Sequence, residues 1–221
     1  MATTIHEPPK IEKPSTSGGN GDWRNLVPAA GDLRLVHEHA SSPASTGIWV
    51  LLASITMIFA AFTSALIVRK GASNDWYHFA LPSVLYFNSL VLIVSSLTVE
   101  IARRQIRPLL NGAQEKTVRG TRWLYITFFL GLVFLAGQYA AWLDLRSQGL
   151  FLATNPSSSF FYLLTCVHAL HVLGGMGAMG RVLVKLHQAT LRSVTLDAAT
   201  RYWHFMDGLW LYLLWFLWMK L

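Results

Sequence analysis

The chain has 221 residues, 53% of them hydrophobic and only 13% charged, with a mean hydropathy of +0.40; soluble domains carry about 25% charged residues. Its 18 Lys and Arg against 11 Asp and Glu leave a net charge of +7, but the cations are scattered between apolar runs, which argues against a nucleic-acid-binding face. One cysteine, Cys166, lies inside an apolar run, so an intramolecular disulfide and a cysteine-based metal cluster are both excluded.

Residues 1–45 stand apart from the rest. The stretch "HEPPKIEKPSTSGGNGDW" is rich in Pro, Gly, Ser and Thr and offers little to bury, which predicts a flexible extension. No apolar core of the kind a secretory signal needs precedes Ile48.

Residues 46–221 read as an all-α membrane domain. A hydrocarbon layer about 30 Å thick takes about 20 apolar residues per helical crossing, and five segments fit: about 48–68, 80–99, 123–143, 160–179 and 203–219. The first three contain no charged residue and the fourth has only His168 and His171 as ionisable groups. The fifth carries His204 and Asp207 near its start. Arg103, Arg104, Arg107, Lys116, Arg119 and Arg122 follow the second span, and Arg181, Lys185, Arg192 and Arg201 follow the fourth. Only Arg69, Lys70 and Arg146 follow the first and third, so the positive-inside rule predicts a cytoplasmic N-terminus and a periplasmic C-terminus.

Polar groups inside such spans are costly and normally face protein or water. The candidates are Asn88 in the second span and Glu100 at its cytoplasmic end, Gln138 in the third, His168 and His171 in the fourth, and His204 and Asp207 in the fifth. Residues three apart share a helix face, so His168 with His171, extended by Thr165 and Gly175, forms one polar stripe and His204 with Asp207 another. A di-iron bundle needs paired carboxylates with Glu-x-x-His, and neither "HALH" nor "HFMD" has that pattern. Two histidines on one face of one helix do not flank a single haem iron from opposite sides. Hydrogen bonding across helices explains the set more simply. His204 with Asp207 reads as a clasp, with a proton-accessible mouth as the other reading.

Small residues mark close packing: "GGMGAMG", Gly174 to Gly180, in the fourth span, and Ala60, Ala61, Ser64 and Ala65 in the first. Trp76, Trp123, Trp142 and Trp203 fall near span ends, where amphipathic rings settle. Trp210, Trp215 and Trp218 are expected to face lipid or a partner.

The runs "SSSFFYLLTCVHALHVLGG" and "RYWHFMDGLWLYLLWFLW" resemble the fourth and terminal helices of the five-helix form of subunit III of the haem-copper oxidases. "FNSLVLIVSSLTVEIA" and "WLYITFFLGLVFLAGQYAAW" are similar to the helices between, and the resemblance covers residues 47–221. It implies an accessory subunit in a bacterial cytoplasmic membrane. Such a subunit has no catalytic or metal-ligating residues of its own and packs against the catalytic subunit I, and with subunit II, which carry the haem and copper. It also implies bound phospholipid and support of proton uptake during oxygen reduction. One departure is Ile55, in "LLASITMIFAAF", where many members have a buried Glu. Another is "GQYAAW", with no acidic residue after Gln138. The divergence leaves open a related accessory subunit of a nitric oxide reductase. A stand-alone membrane transporter, a third reading, would need more ionisable groups at mid-depth.

Overall fold

The computed structural model describes residues 26–29, 32–35, 43–72, 81–110, 117–152 and 155–220. The chain divides into two units, Met1–Ser41 and Ser42–Leu221. In the first, β1 (Leu26–Ala29) and β2 (Asp32–Leu35) pair antiparallel, Leu26 opposite Leu35 and Ala29 opposite Asp32. The composition of the extension had not predicted strands. Its expected flexibility otherwise falls on residues outside those described.

The second unit is five helices: α1 (Pro43–Ala72), α2 (Val84–Leu110), α3 (Thr117–Ser147), α4 (Pro156–His187) and α5 (Ser193–Lys220). Among the described residues, α1 to α4 are long and apolar enough to cross a membrane. α5 has 28 residues, about 42 Å at 1.5 Å per residue, and packs beside them, while His204, Asp207 and Lys220 lower its apolar character. The helices overrun the expected spans where polar ends pair outside the hydrocarbon. α2 continues ten residues beyond Glu100, and α5 starts ten before Trp203.

α2, α3, α4 and α5 form a ring in which each touches the next, and α1 packs outside it against α4 and α5. One stripe of α1 makes that contact: Leu52, Ile55, Phe59, Thr63 and Leu66 are buried, spaced three and four apart as one helix face requires. Ala60, Ala61, Ser64 and Ala65, expected at the packing surface, lie on the exposed faces instead. The larger Leu52, Ile55, Phe59 and Leu66 make the contact with the ring. Ile55 is 2% exposed, so an apolar side chain fills its position in the core.

Close approach occurs between α2 and α3. Gly137 lies under the Asn88 side chain, Thr98 Oγ1 meets Thr127 Oγ1 at 2.8 Å, and a Cβ on Gly120 would come within 2.6 Å of Ile106. These contacts advance together along two antiparallel helices. The glycine cluster of α4 serves similarly at one residue: a Cβ on Gly175 would meet Tyr202 at 2.9 Å, whereas Gly174 and Gly177 face outward.

α4 starts at Pro156, after Asn155 in an extended conformation, because proline suits the first helical position. α3 and α4 end alike. Leu150 N–H bonds Leu145 O and Gly149 N–H bonds Arg146 O, with Gly149 left-handed at φ 77°. At the end of α4, Thr190 N–H bonds Lys185 O and Ala189 N–H bonds Leu186 O, with Ala189 in the glycine position at φ 53°.

Two outcomes follow. Ala189→Gly raises stability by up to about 1 kcal/mol by removing the left-handed strain of an L-residue, read as a higher unfolding midpoint in detergent. Gly137→Val lowers it by about 1–3 kcal/mol, because the added carbons collide with Asn88.

Candidate functional site

The polar groups of the bundle concentrate along the seam between α2 and α5. Ser89 and Ser95 are buried on the α2 face that meets α5. Each hydroxyl donates to its own helix, Ser89 to Leu85 O at 2.9 Å and Ser95 to Leu92 O at 2.8 Å. Their lone pairs then accept the indole N–H of Trp210 and of Trp203, both at 3.0 Å. Every donor in this arrangement finds an acceptor without water, as a hydrocarbon environment demands.

One step along, Ser96 Oγ lies 2.5 Å from His204 Nδ1, and His204 Nε2 lies 3.7 Å from Glu100 Oε2. This suits the tautomer with its proton on Nε2, facing the carboxylate, and Nδ1 accepting from Ser96. Glu100 accepts from Arg103 Nε and a second Arg103 nitrogen at 2.9 and 3.0 Å, and from Arg104 Nε at 2.8 Å. Arg103 also donates to Asp197 in the second turn of α5, at 3.2 Å. The seam thus ends in a charged clamp joining α2 to α5.

The clasp expected between His204 and Asp207 takes a different form, since Glu100 is the carboxylate facing His204. Asp207 is 6% exposed and lies beside Ser96, whose hydroxyl is directed to His204. Its oxygens make no hydrogen bond among the described residues. A helix places i and i+3 on one side, but which of them meets a partner depends on what the neighbouring helix offers.

Asn88, Gln138 and His168 are buried deeper. Asn88 Nδ2 donates weakly to Phe134 O at 3.4 Å. Gln138 follows Phe134 by one turn and is buried, its amide without a hydrogen-bond partner among the described residues. His168 is wholly enclosed, its ring 5.9 Å from Phe134, 6.4 Å from Phe59 and 5.1 Å from Trp210. His171 shares that face through Phe59, at 5.7 Å, and its Nδ1 lies 2.7 Å from Val167 O, one turn back. The "HALH" histidines are therefore on one face, as the spacing predicts, and aromatic rings and the helix's own backbone surround them. Among the described residues, no three His, Cys, Asp or Glu side chains are grouped to hold a metal ion.

Trp203 and Trp210 correct the tryptophan reading. They are 2% and 1% exposed and are the donors of the seam, not a belt residue and a lipid-facing one. Trp215 and Trp218 do face outward, and Trp76 lies outside the described residues. Ser89, Ser95 and Ser96 did not stand out among the polar residues of the sequence. Their signal was available in the spacing: Ser89 and Ser95 stand six apart on α2, nearly matching the seven between Trp203 and Trp210 on α5.

A family model described as cytochrome c oxidase subunit III matches residues 44–220. The chain belongs to the cytochrome c oxidase subunit III family. It is 33% identical over 175 residues to a probable cytochrome c oxidase subunit 3 of Mycobacterium tuberculosis, covering 76% of this chain and 83% of the relative. It is 31% identical over 185 residues to cytochrome c oxidase subunit 3 of Thermostichus vulcanus, covering 80% and 87%. For the Synechocystis protein of the same description the figures are 32% over 178 residues, 76% and 71%. Subunit III of a haem-copper oxidase is thus the assignment these matches carry. Together with the apolar helices they make this a multi-pass membrane protein. They do not favour the nitric oxide reductase or transporter readings.

The seam makes a quantitative expectation. In a double-mutant cycle of Ser89→Ala and Trp210→Phe, the coupling is favourable and about 0.6–2 kcal/mol, the range for hydrogen bonds between membrane helices, read from unfolding midpoints in detergent.

Proposed function

We propose that this chain is a non-catalytic subunit III of a respiratory haem-copper oxidase, holding the catalytic subunit I, with subunit II, in a working state rather than reacting itself. The complex reduces oxygen to water and translocates protons, with haem and copper in the partner subunits. The observation that carries this reading is the direction of the interior polar groups. Ser89, Ser95, Ser96 and Arg103 of α2 each pair with a side chain of α5, Trp210, Trp203, His204 and Asp197 in turn, which supports a scaffold that fixes helix against helix.

In this reading Asn88, Glu100, Gln138, His168, His171, His204 and Asp207 are a structural polar network. The excess of Arg and Lys after α2 and α4 supports a cytoplasmic N-terminus in a bacterial inner membrane. In that orientation the Glu100 clamp lies at the cytoplasmic end, and the subunit supports proton uptake by the complex. A groove of about 320 Å³ between α1, α4 and α5, lined by Ile48, Leu51, Ala178 and Tyr202 with Arg181 among them, supports phospholipid binding. The extension expected over residues 1–45 corresponds to the separate unit Met1–Ser41, since α1 already begins at Pro43.

Purification in mild detergent tests the assignment. The chain is expected to accompany a large haem-copper subunit and to be colourless when isolated, and a coloured, iron-containing monomer overturns the reading. His204→Ala or Asp207→Ala weakens retention of the subunit or speeds inactivation during turnover, with the haem absorption of the complex unchanged. A shifted haem spectrum counts against a scaffold role.

A further inference from the structure

The serines of the seam meet partners across it, but one level of the bundle is built differently. Asn88, Gln138 and His168, on α2, α3 and α4, are each 1% exposed or less. Five of their polar atoms make no hydrogen bond among the described residues: Asn88 Oδ1, both amide atoms of Gln138 and both ring nitrogens of His168. Asn88 Nδ2 has only its 3.4 Å contact with Phe134 O, a carbonyl that already accepts the Gln138 N–H within α3.

Cross-helix contacts put the three residues at one height. Asn88 Oδ1 occupies the space that a Cβ on Gly137 would take, so Asn88 stands beside the residue before Gln138. Trp142 donates its indole N–H to Thr165 Oγ1 at 3.1 Å, and further along Tyr125 Oη lies 2.8 Å from His187 Nε2, so α3 and α4 run antiparallel. One turn back from Trp142 is Gln138, and one turn on from Thr165 are His168 and Ala169. Gln138 therefore faces the turn that carries His168. Phe134, one turn from Gln138 on the same face, has its ring 5.9 Å from that of His168. The other neighbours of the imidazole are the rings of Phe59 and Trp210, which offer its nitrogens only weak contacts.

Unmatched polar atoms at this depth are costly, and their chemistry selects a ligand. Asn88 Oδ1, Gln138 Oε1 and one nitrogen of a neutral imidazole accept hydrogen bonds, while Gln138 Nε2 and the other nitrogen donate. No carboxylate belongs to the set, so a metal cation finds no charge to offset its own, and an anion leaves the acceptors unmatched. Water both donates and accepts. A buried water makes about three hydrogen bonds, so five such atoms take about two molecules.

We propose that Asn88, Gln138 and His168 hold a buried hydration site of about two ordered waters, which joins α2, α3 and α4 where their side chains do not pair directly. The Trp203 and Trp210 seam closes without water, whereas here water supplies the bonds between helices. The proposal deepens the structural polar network and rests on that reading of these three residues.

Cryo-electron microscopy of the intact detergent-purified complex, at a resolution that shows ordered waters, provides the test. A compact peak is expected within about 3 Å of a Gln138 amide atom and of a His168 nitrogen. Gln138→Met, similar in length but without hydrogen-bonding atoms at its end, is expected to lose the peak beside position 138 with the helices in place. The wild-type map tests the proposal without the variant. A wild-type map with no peak overturns it, as does a direct bond between Gln138 and His168, an elongated peak with the shape of a hydrocarbon tail, or a peak unchanged in Gln138→Met. The same map shows whether a haem-copper subunit accompanies the chain, which separates failure of this site from failure of the subunit assignment.

Discussion

Two indole N–H groups set how α5 lies against α2. Each is aimed at a serine whose own proton is already given to its helix backbone, so Trp203 and Trp210 are satisfied only when both serines stand opposite them. Sliding α5 along α2 would strand two donors in a region without water, where each unmatched group costs several kcal/mol. The rest of the bundle depends on that register. Phe134 and His168 pack on the Trp210 ring, and Gly131, Gly175 and Met176 close around Trp203.

The charged clamp adds a second point of reference at one end. Glu100 gathers Arg103, Arg104 and His204, while Arg103 reaches on to Asp197. These groups are partly exposed, so water screens them and their attraction is modest. Their geometric effect is larger, because two points of attachment, one in the core and one near the aqueous boundary, fix both the height and the tilt of α5. A membrane scaffold gains from this division, since lipid offers little hydrophobic drive to hold helices together and packing with hydrogen bonds has to supply it.

α1 is held differently. It presents a stripe of apolar residues to α4 and α5, with Phe59 against both histidines of α4, and the buried Thr63 in that stripe bonds to its own backbone. A hydrogen bond to α5 adds to this apolar contact at one end of α1, where Lys70 Nζ donates to Lys220 O at 2.5 Å. The second unit is therefore a hydrogen-bonded four-helix ring with α1 packed on it and tied to the end of α5.

Much of this was open to reading from residue order alone. Long uncharged runs are a direct consequence of the hydrocarbon layer, so the helices and their membrane character were legible, as was the shared face of His168 and His171. The motifs around "HALH" and "RYWHFMDG" also carried the family. Partner choice was not legible. Asp207 stood three residues from His204 and was the natural carboxylate for it, yet Glu100 faces that imidazole, because α2 brings it there and the Asp207 side chain turns toward Ser96. The small residues of α1 suggested close contact and lie outside it, while Gly137, in no glycine cluster, bears the tightest approach. Local sequence therefore determined what must be helical, what must be buried and which residues share a face. Only the packing of whole helices decided which face meets which neighbour, because that choice depends on side chains from several helices at once and no single segment contains the information.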